Sequence, residues 1–341
     1  MKSTNYFFVV VLTFLGWCIS FQAQADTRVL KFHSGLAQTR PEAQYIEEFA
    51  TLVNEKSNGS LQVDVYHSGS LGLKEADMLR IMKGGMVDLA LMYGEYYKRD
   101  APALASVYAQ GAITKAEQHL ALLPTLRSIY RDAYAKWDIH TVGGVVAPVF
   151  DVGLHCKAPV NSLAELKDKK VRVWSGHLVD TFKKLGISAQ VIGQNDMYLA
   201  LQTGVVDCAY YLSTVAKTVS LQEVTKYESY LHPWAASPWM FGVSDRTWKS
   251  LTADQQKALT DAGEEIWKKT KLLAVDPQRE AAAREERKSL GITVLEPFSE
   301  KDVQTFVDAA MSAWKDMAEA SGPEGMKYYE TVSTLAKEQQ K

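Results

Sequence analysis

Strict alternation in Lys170-Val-Arg-Val-Trp174 places Arg172 on the face opposite Val171 and Val173. A guanidinium on an otherwise apolar strand is costly unless an anion answers it. The anion can be an internal Asp or Glu, which would make Arg172 structural. It can also be the carboxylate of a ligand gripped by the planar fork. Aromatic residues gather at comparable places: Tyr93, Tyr96 and Tyr97 follow one predicted strand, Tyr210 and Tyr211 end another, and Trp174, Trp234 and Trp239 lie near the cleft expected for the second domain. Rings of this kind give large apolar contact with a polar handle. About half of them are expected to touch a ligand, the rest filling core. The candidate ligand-binding set is Arg172, Trp174, Tyr210, Tyr211, Tyr93, Trp239, Trp234, His33 and Glu95.

Other chemistry is thinly represented. The seven histidines contain no pair at helical metal-binding spacing, and there is no Cys-x-x-Cys. Neither a Gly-x-Ser-x-Gly elbow nor a phosphate-cradling loop occurs. Ser312-Ala-Trp-Lys315 matches Ser-x-x-Lys without companion motifs and reads as one face of an amphipathic helix. A binder is therefore expected rather than an enzyme, with no cofactor and no metal.

The elements that must position these residues are written twice. Asp77–Leu91 reads DMLRIMKGGMVDLAL and Asp196–Tyr210 reads DMYLALQTGVVDCAY, both with Asp-Met and Gly-x-Val-Asp. Around the first lie a strand from Val29, a helix from Ala43 stopped by Asn58-Gly59, and a strand from Leu61. The second follows KVRVWSG, LVDTFKKLG and SAQVIG in the same order. Each half is a β-α-β-α-β unit, which predicts parallel strands with right-handed crossovers. Two open α/β sheets facing each other can enclose one ligand beyond their carboxyl strand ends by hinge closure. The repeat would supply the two jaws of a clamp.

Trp137–Val160 is β-prone and glycine-spaced, as a chain crossing between domains would be. Capping boxes are expected at Ser162 with Glu165 and at Thr252 with Gln255. The second opens a helical pattern running to Gly291, long enough at ~1.5 Å per residue to lie across both domains, with Pro277 kinking or splitting it. A further amphipathic helix follows from Ser299, and the terminus beyond it is expected to fray. The domains are placed at 26–150 with about 238–276, and at 151–237 with about 277–341 including the C-terminal helices. Hinges are expected near 148–152 and 236–240.

Lys2 is the only charge before Asp26, Tyr6–Phe21 is almost unbroken in its apolar character, and Ala23-Gln24-Ala25 is a cleavage pattern. Residues 1–25 are read as a signal peptide cut after Ala25, and the mature chain as soluble in the periplasm. Trp17 is too bulky to favour a lipid anchor on Cys18. With 38 basic against 40 acidic residues, interspersed, no nucleic-acid or membrane-surface partner is indicated. Cys156 and Cys208 remain; an oxidising compartment permits a bridge, but two buried free thiols is the preferred reading.

The order LAELKDKKVRVWSG, YLALQTGVVD, LQEVTKY and WKSLTADQQKAL resembles the extracytoplasmic solute-binding proteins of TRAP transporters, the DctP-like family. The resemblance covers essentially the whole mature chain. It implies a periplasmic-binding-protein-like fold: two α/β domains, a hinge and a long helix spanning both. It places Arg172 on the family's carboxylate-clamping arginine. It also implies a monomer delivering an organic acid to integral-membrane permease subunits driven by an ion gradient. Tyr211 stands where sialic-acid-type and ectoine-type members carry asparagine, and FDVGLHCK offers no added arginine, only His155 or Asp151. A monocarboxylate with an apolar, aromatic or hydroxylated body is expected over a sugar acid or small dicarboxylate. The alternatives are a binding protein for another transporter or a sensor kinase, and an exported enzyme on the same fold.

Overall fold

The computed structural model describes residues 27–234 and 237–338, and of Trp234 the backbone alone. The expected signal peptide lies outside the described residues. Eleven strands form two sheets. The first is ordered β2-β1-β3-β10-β4 and the second β11-β9-β5-β8-β6-β7. Their ranges are β1 Arg28–His33, β2 Leu61–Tyr66, β3 Leu89–Met92, β4 Ile139–Val146, β5 Phe150–Cys156, β6 Lys170–Val173, β7 Ser188–Val191, β8 Cys208–Leu212, β9 Tyr227–Trp234, β10 Pro238–Ser244 and β11 Thr293–Val294. Each sheet with the helices packed on it is called a lobe below.

The repeat is structural. β2-β1-β3 and β7-β6-β8 are parallel triplets in the same order. The shared Gly-x-Val-Asp does the same work in both. Gly85 and Gly204, at φ 64° and 79°, reach the left-handed conformation in which glycine carries no Cβ penalty. Asp88 then takes Lys31 N on Oδ2 at 2.9 Å, and Asp207 takes Lys170 N on Oδ2 at 2.9 Å. One carboxylate thus pins the neighbouring parallel strand in each lobe.

The sheets are not wholly parallel. β10 runs antiparallel to β3 and β4, and β5 antiparallel to β8 and β9. The cause is the double crossing: the chain leaves the first sheet by β4, enters the second as β5, and returns from β9 to β10. A strand arriving from the other lobe has no crossover helix of its own to reverse it.

The expected long helix is two helices. Ala253–Leu272 packs on β4 in the first lobe, and Pro277–Ser289 packs beside β11 in the second. Pro277 sits at the start of the second helix, where its missing N–H costs nothing, and Asp276 caps Gln278 N and Arg279 N. The helical pair, rather than one helix, spans both lobes.

Glu300–Ala320 covers the second lobe, with Phe306 against Phe182 at 5.5 Å. The last helix, Gly322–Glu338, leaves that lobe. It lies against Ala116–Ala135 of the first, where Gln118 Nε2 donates to Ala336 O at 2.7 Å. Sequence reasoning put 277–341 with the second lobe throughout, because a surface helix does not announce which lobe it covers.

Candidate functional site: a cavity between the two lobes

A cavity of about 650 Å³ opens between the carboxyl ends of the parallel strands of both sheets. The first lobe contributes Gly35 and Leu36 beyond β1, Ser68 and Gly69 beyond β2, and Tyr93, Glu95 and Tyr96 beyond β3. The second contributes Arg172 from β6, Trp174 just beyond it, Gly193 to Asp196 beyond β7, and Tyr211 from β8. Trp239, on the returning strand β10, lies at the seam.

Arg172 is buried to 1% exposure and is held from behind by carbonyls, Nε donating to Ile192 O at 2.9 Å and Nη1 to Tyr210 O at 3.4 Å. Its guanidinium carbon stands 5.4 Å from the centre of the Tyr211 ring. No Asp or Glu lies within ion-pair distance of it among the described residues. Burial lowers its pKa, with the Tyr211 and Tyr96 phenols acting the other way. The internal ion pair that would make Arg172 purely structural is absent there.

A second arginine faces it from the first lobe. Arg40 immediately precedes the helix Pro41–Lys56, and its Nε donates to Glu42 Oε2 at 2.8 Å. Nη1 donates across the cavity to Gln194 Oε1 at 3.2 Å, an oxygen that also accepts from the Tyr211 hydroxyl at 2.8 Å. Nη2 is buried without a hydrogen-bond partner among the described residues. Burial pulls the Arg40 pKa down most strongly, but the charge and hydrogen bond of Glu42 together with the Tyr211 and Tyr93 phenols raise it on balance. Further bonds join the lobes: Gln194 Nε2 to Gly35 O at 3.4 Å, Asn195 Nδ2 to Ser68 O at 3.0 Å, and Lys98 Nζ to Asp180 Oδ2 at 2.6 Å.

Acidic groups share the cavity. Glu95 is half-buried and accepts from Gln110 Nε2 at 3.3 Å. Burial pushes its carboxyl up to about 7, against hydrogen bonds from Gln110 and Trp174 that act the other way. Glu75 approaches His33 Nε2 at 3.5 Å.

Of the sequence candidates, Arg172, Trp174, Tyr211, Tyr93, Trp239 and Glu95 line the cavity, as does Tyr96. Tyr210 does not: its ring packs among Trp174, Phe182 and Phe306, and its hydroxyl meets His232 Nε2. It serves the site only through the carbonyl that holds Arg172. His33 is fully buried at the end of β1 and reaches the cavity only through Glu75. Tyr97 belongs to the core beside Tyr134. The Trp234 side chain lies outside the described residues. His155 and Asp151, the polar groups of FDVGLHCK, turn away, His155 to Glu228 and Asp151 to Arg284. Sequence reasoning missed Arg40, Glu75 and the Gln194-Asn195 pair. Arg40 precedes a proline in a polar loop, a pattern indistinguishable from a solvated side chain; for Glu75 and Gln194 no sequence signal exists.

The two cysteines meet in this lobe. Cys156 on β5 and Cys208 on β8 are paired neighbours and form a disulfide, correcting the preferred reading of two free thiols. Their strands run side by side only because β5 inserts antiparallel next to β8, which sequence reasoning did not place.

Two α/β lobes joined by crossing strands around a charged, aromatic cavity define a binding protein of the clamp type. The chain belongs to the family described as bacterial extracellular solute-binding protein, family 7 (DctP), whose profile matches residues 32–321. It is 24% identical over 330 residues to the C4-dicarboxylate-binding periplasmic protein DctP of Rhodobacter capsulatus, covering 93% of this chain and 94% of that one. Among solved structures it resembles a TRAP periplasmic solute-binding protein from Rhodoferax ferrireducens with bound malonate, at TM-score 0.78 and 22% identity, covering 91% of this chain and 99% of that one. It also resembles one from Sulfitobacter sp. NAS-14.1 with bound β-D-galacturonate, at TM-score 0.76 and 22% identity, covering 89% and 98%. No helix among the described residues is long and apolar enough to cross a membrane.

Proposed function

We propose that this protein captures an organic acid between its two lobes and delivers it to a TRAP-type membrane permease. The observation that carries the reading is Arg172, a buried guanidinium lining the cavity with two carbonyls behind it and no carboxylate beside it. With Nε and Nη1 engaged there, the outer end of the fork is left for a ligand carboxylate. Tyr211, Trp174, Tyr93, Tyr96 and Trp239 would enclose the ligand body, and Arg40 with Gln194 would touch it from the opposite side. The ligands named for the similar proteins, a C4-dicarboxylate, malonate and a galacturonate, are all carboxylates, which supports the class. Export with cleavage after Ala25 and closure about the crossings near 148–152 and 236–240 belong to the same reading.

A thermal-shift screen of the purified mature protein against organic acids tests it. At least one acid should raise the melting temperature in a concentration-dependent way, the added stability reaching about 2.7 kcal/mol at a hundredfold excess over Kd. A screen in which amines and neutral sugars stabilise while no carboxylate does would overturn it.

A further inference from the structure

Resting on that reading, we propose that Glu95 forms the second pole of the site and that the ligand is a zwitterion, its carboxylate on Arg172 and an ammonium group at its far end on Glu95. Glu95 stands on the first lobe and Arg172 on the second, both facing the one cavity. Tyr96 lines the same cavity, and its phenol feels Glu95 and Arg172 with opposite effect. Arg40 is already matched by Glu42, whereas Glu95 has no cation within ion-pair distance among the described residues. Apart from the exposed Lys74 and Asp196, and Glu75 with its approach to His33, the lining therefore carries one unanswered guanidinium and one unanswered carboxyl. A dicarboxylate would answer the first and place its second anion against the other. A zwitterion answers both.

The surroundings of Glu95 favour a cation. The Trp174 indole and Gln110 hold the carboxyl, and Tyr96 lines the cavity beside it. Aromatic faces beside a carboxylate attract an ammonium through the ring quadrupole as well as by direct charge. The other ionisable groups that face this region are the phenols of Tyr96, Tyr108, Tyr130, Tyr134 and Tyr210, each raised by burial and so neutral. Glu75 acts on Tyr96 from the same lobe, adding negative potential. His177, which accepts from Gln110 N at 3.0 Å, is kept neutral by burial at about 3.

Calorimetry of the wild-type protein with three matched series tests the proposal: ω-amino acids from 4-aminobutyrate to 8-aminooctanoate, the unsubstituted acids, and the dicarboxylates of equal length. At about pH 8, at least one ω-amino acid should bind about tenfold or more tightly than both counterparts. Because burial holds the Glu95 carboxyl near 7, that affinity should fall about tenfold per unit as pH drops below this value. Glu95→Gln should erase the preference, with melting curves as the folding control. A dicarboxylate that binds as well as its ω-amino partner, or tightens as pH falls, would overturn the proposal, since Glu95 would then donate a proton instead of receiving a cation. If none of the three series binds while the acid screen yields a ligand, the zwitterion fails and the carboxylate reading stands. An empty acid screen sinks both.

Discussion

Arg172 does two jobs that a substitution can separate. Its carbonyl contacts tie Ile192, beyond β7, and Tyr210, on β8, to β6, while its outer edge faces the cavity. Stranding a buried ligand charge costs roughly 3–5 kcal/mol. Arg172→Ala should therefore weaken acid binding by about two to four orders of magnitude. Arg172→Lys should recover little, because an ammonium cannot reproduce the planar fork. Calorimetry on both variants, beside their melting curves, checks this; near-normal affinity in a folded Arg172→Ala protein would remove Arg172 from the site. At this scale the sequence was legible where a charge interrupted an apolar alternation, as at Arg172. It was mute where the same charge sat in a polar loop, as at Arg40. Tyr210 and Tyr211 show a subtler limit. Alternation puts neighbouring side chains on opposite faces, but both faces of β8 are buried, so only the packing reveals which ring meets the cavity.

Among the elements, the duplicated β-α-β-α-β units were legible because each carries its own helix stop and its own strand-pinning aspartate in local sequence. The crossing strands were not, since β5 and β10 pair with partners supplied by the opposite half of the repeat's logic. That insertion created the Cys156–Cys208 bridge, which closes a loop of sequence separation 52. Closing a loop of this size removes unfolded-state entropy and stabilises by roughly 2–4 kcal/mol. Thiol titration of the mature, unfolded and unreduced protein should find neither cysteine free. The double substitution Cys156→Ala with Cys208→Ala should lower stability by about that amount in chemical denaturation. Two titratable thiols, or an unchanged denaturation midpoint, would show that the bridge does not hold the lobe.

For the molecule as a whole, the lobes touch across the cavity through Gln194, Asn195 and Lys98, which is the arrangement of a shut clamp. These bonds at the cavity, with Arg40 to Gln194, are polar, and the exposed ion pair of Lys98 with Asp180 contributes about 1 kcal/mol or less. The ligand-free protein should therefore sample a wider shape in solution and contract on binding. Small-angle scattering with and without a saturating acid should show a smaller radius of gyration in the bound sample. Superimposable curves from a demonstrably bound protein would argue against closure.

The order of assembly follows from where the last helix goes. The first sheet gains its fourth neighbour, β10, only after all of the second lobe's repeat has been made, and Gly322–Glu338 then docks on Ala116–Ala135. A chain emerging from its N-terminus can pair β2, β1 and β3, but it leaves the other edge of β3, and all of β4, without a partner strand until residue 244 is available. Contacts so distant in sequence slow folding, because the loop must close before it is rewarded. The first sheet thus stays incomplete and open-edged until β10 is made, although its triplet β2-β1-β3, like β7-β6-β8, closes from a single contiguous stretch. A truncation just short of the final helix should leave the earlier-made lobe, not the later-made one, as the part that fails.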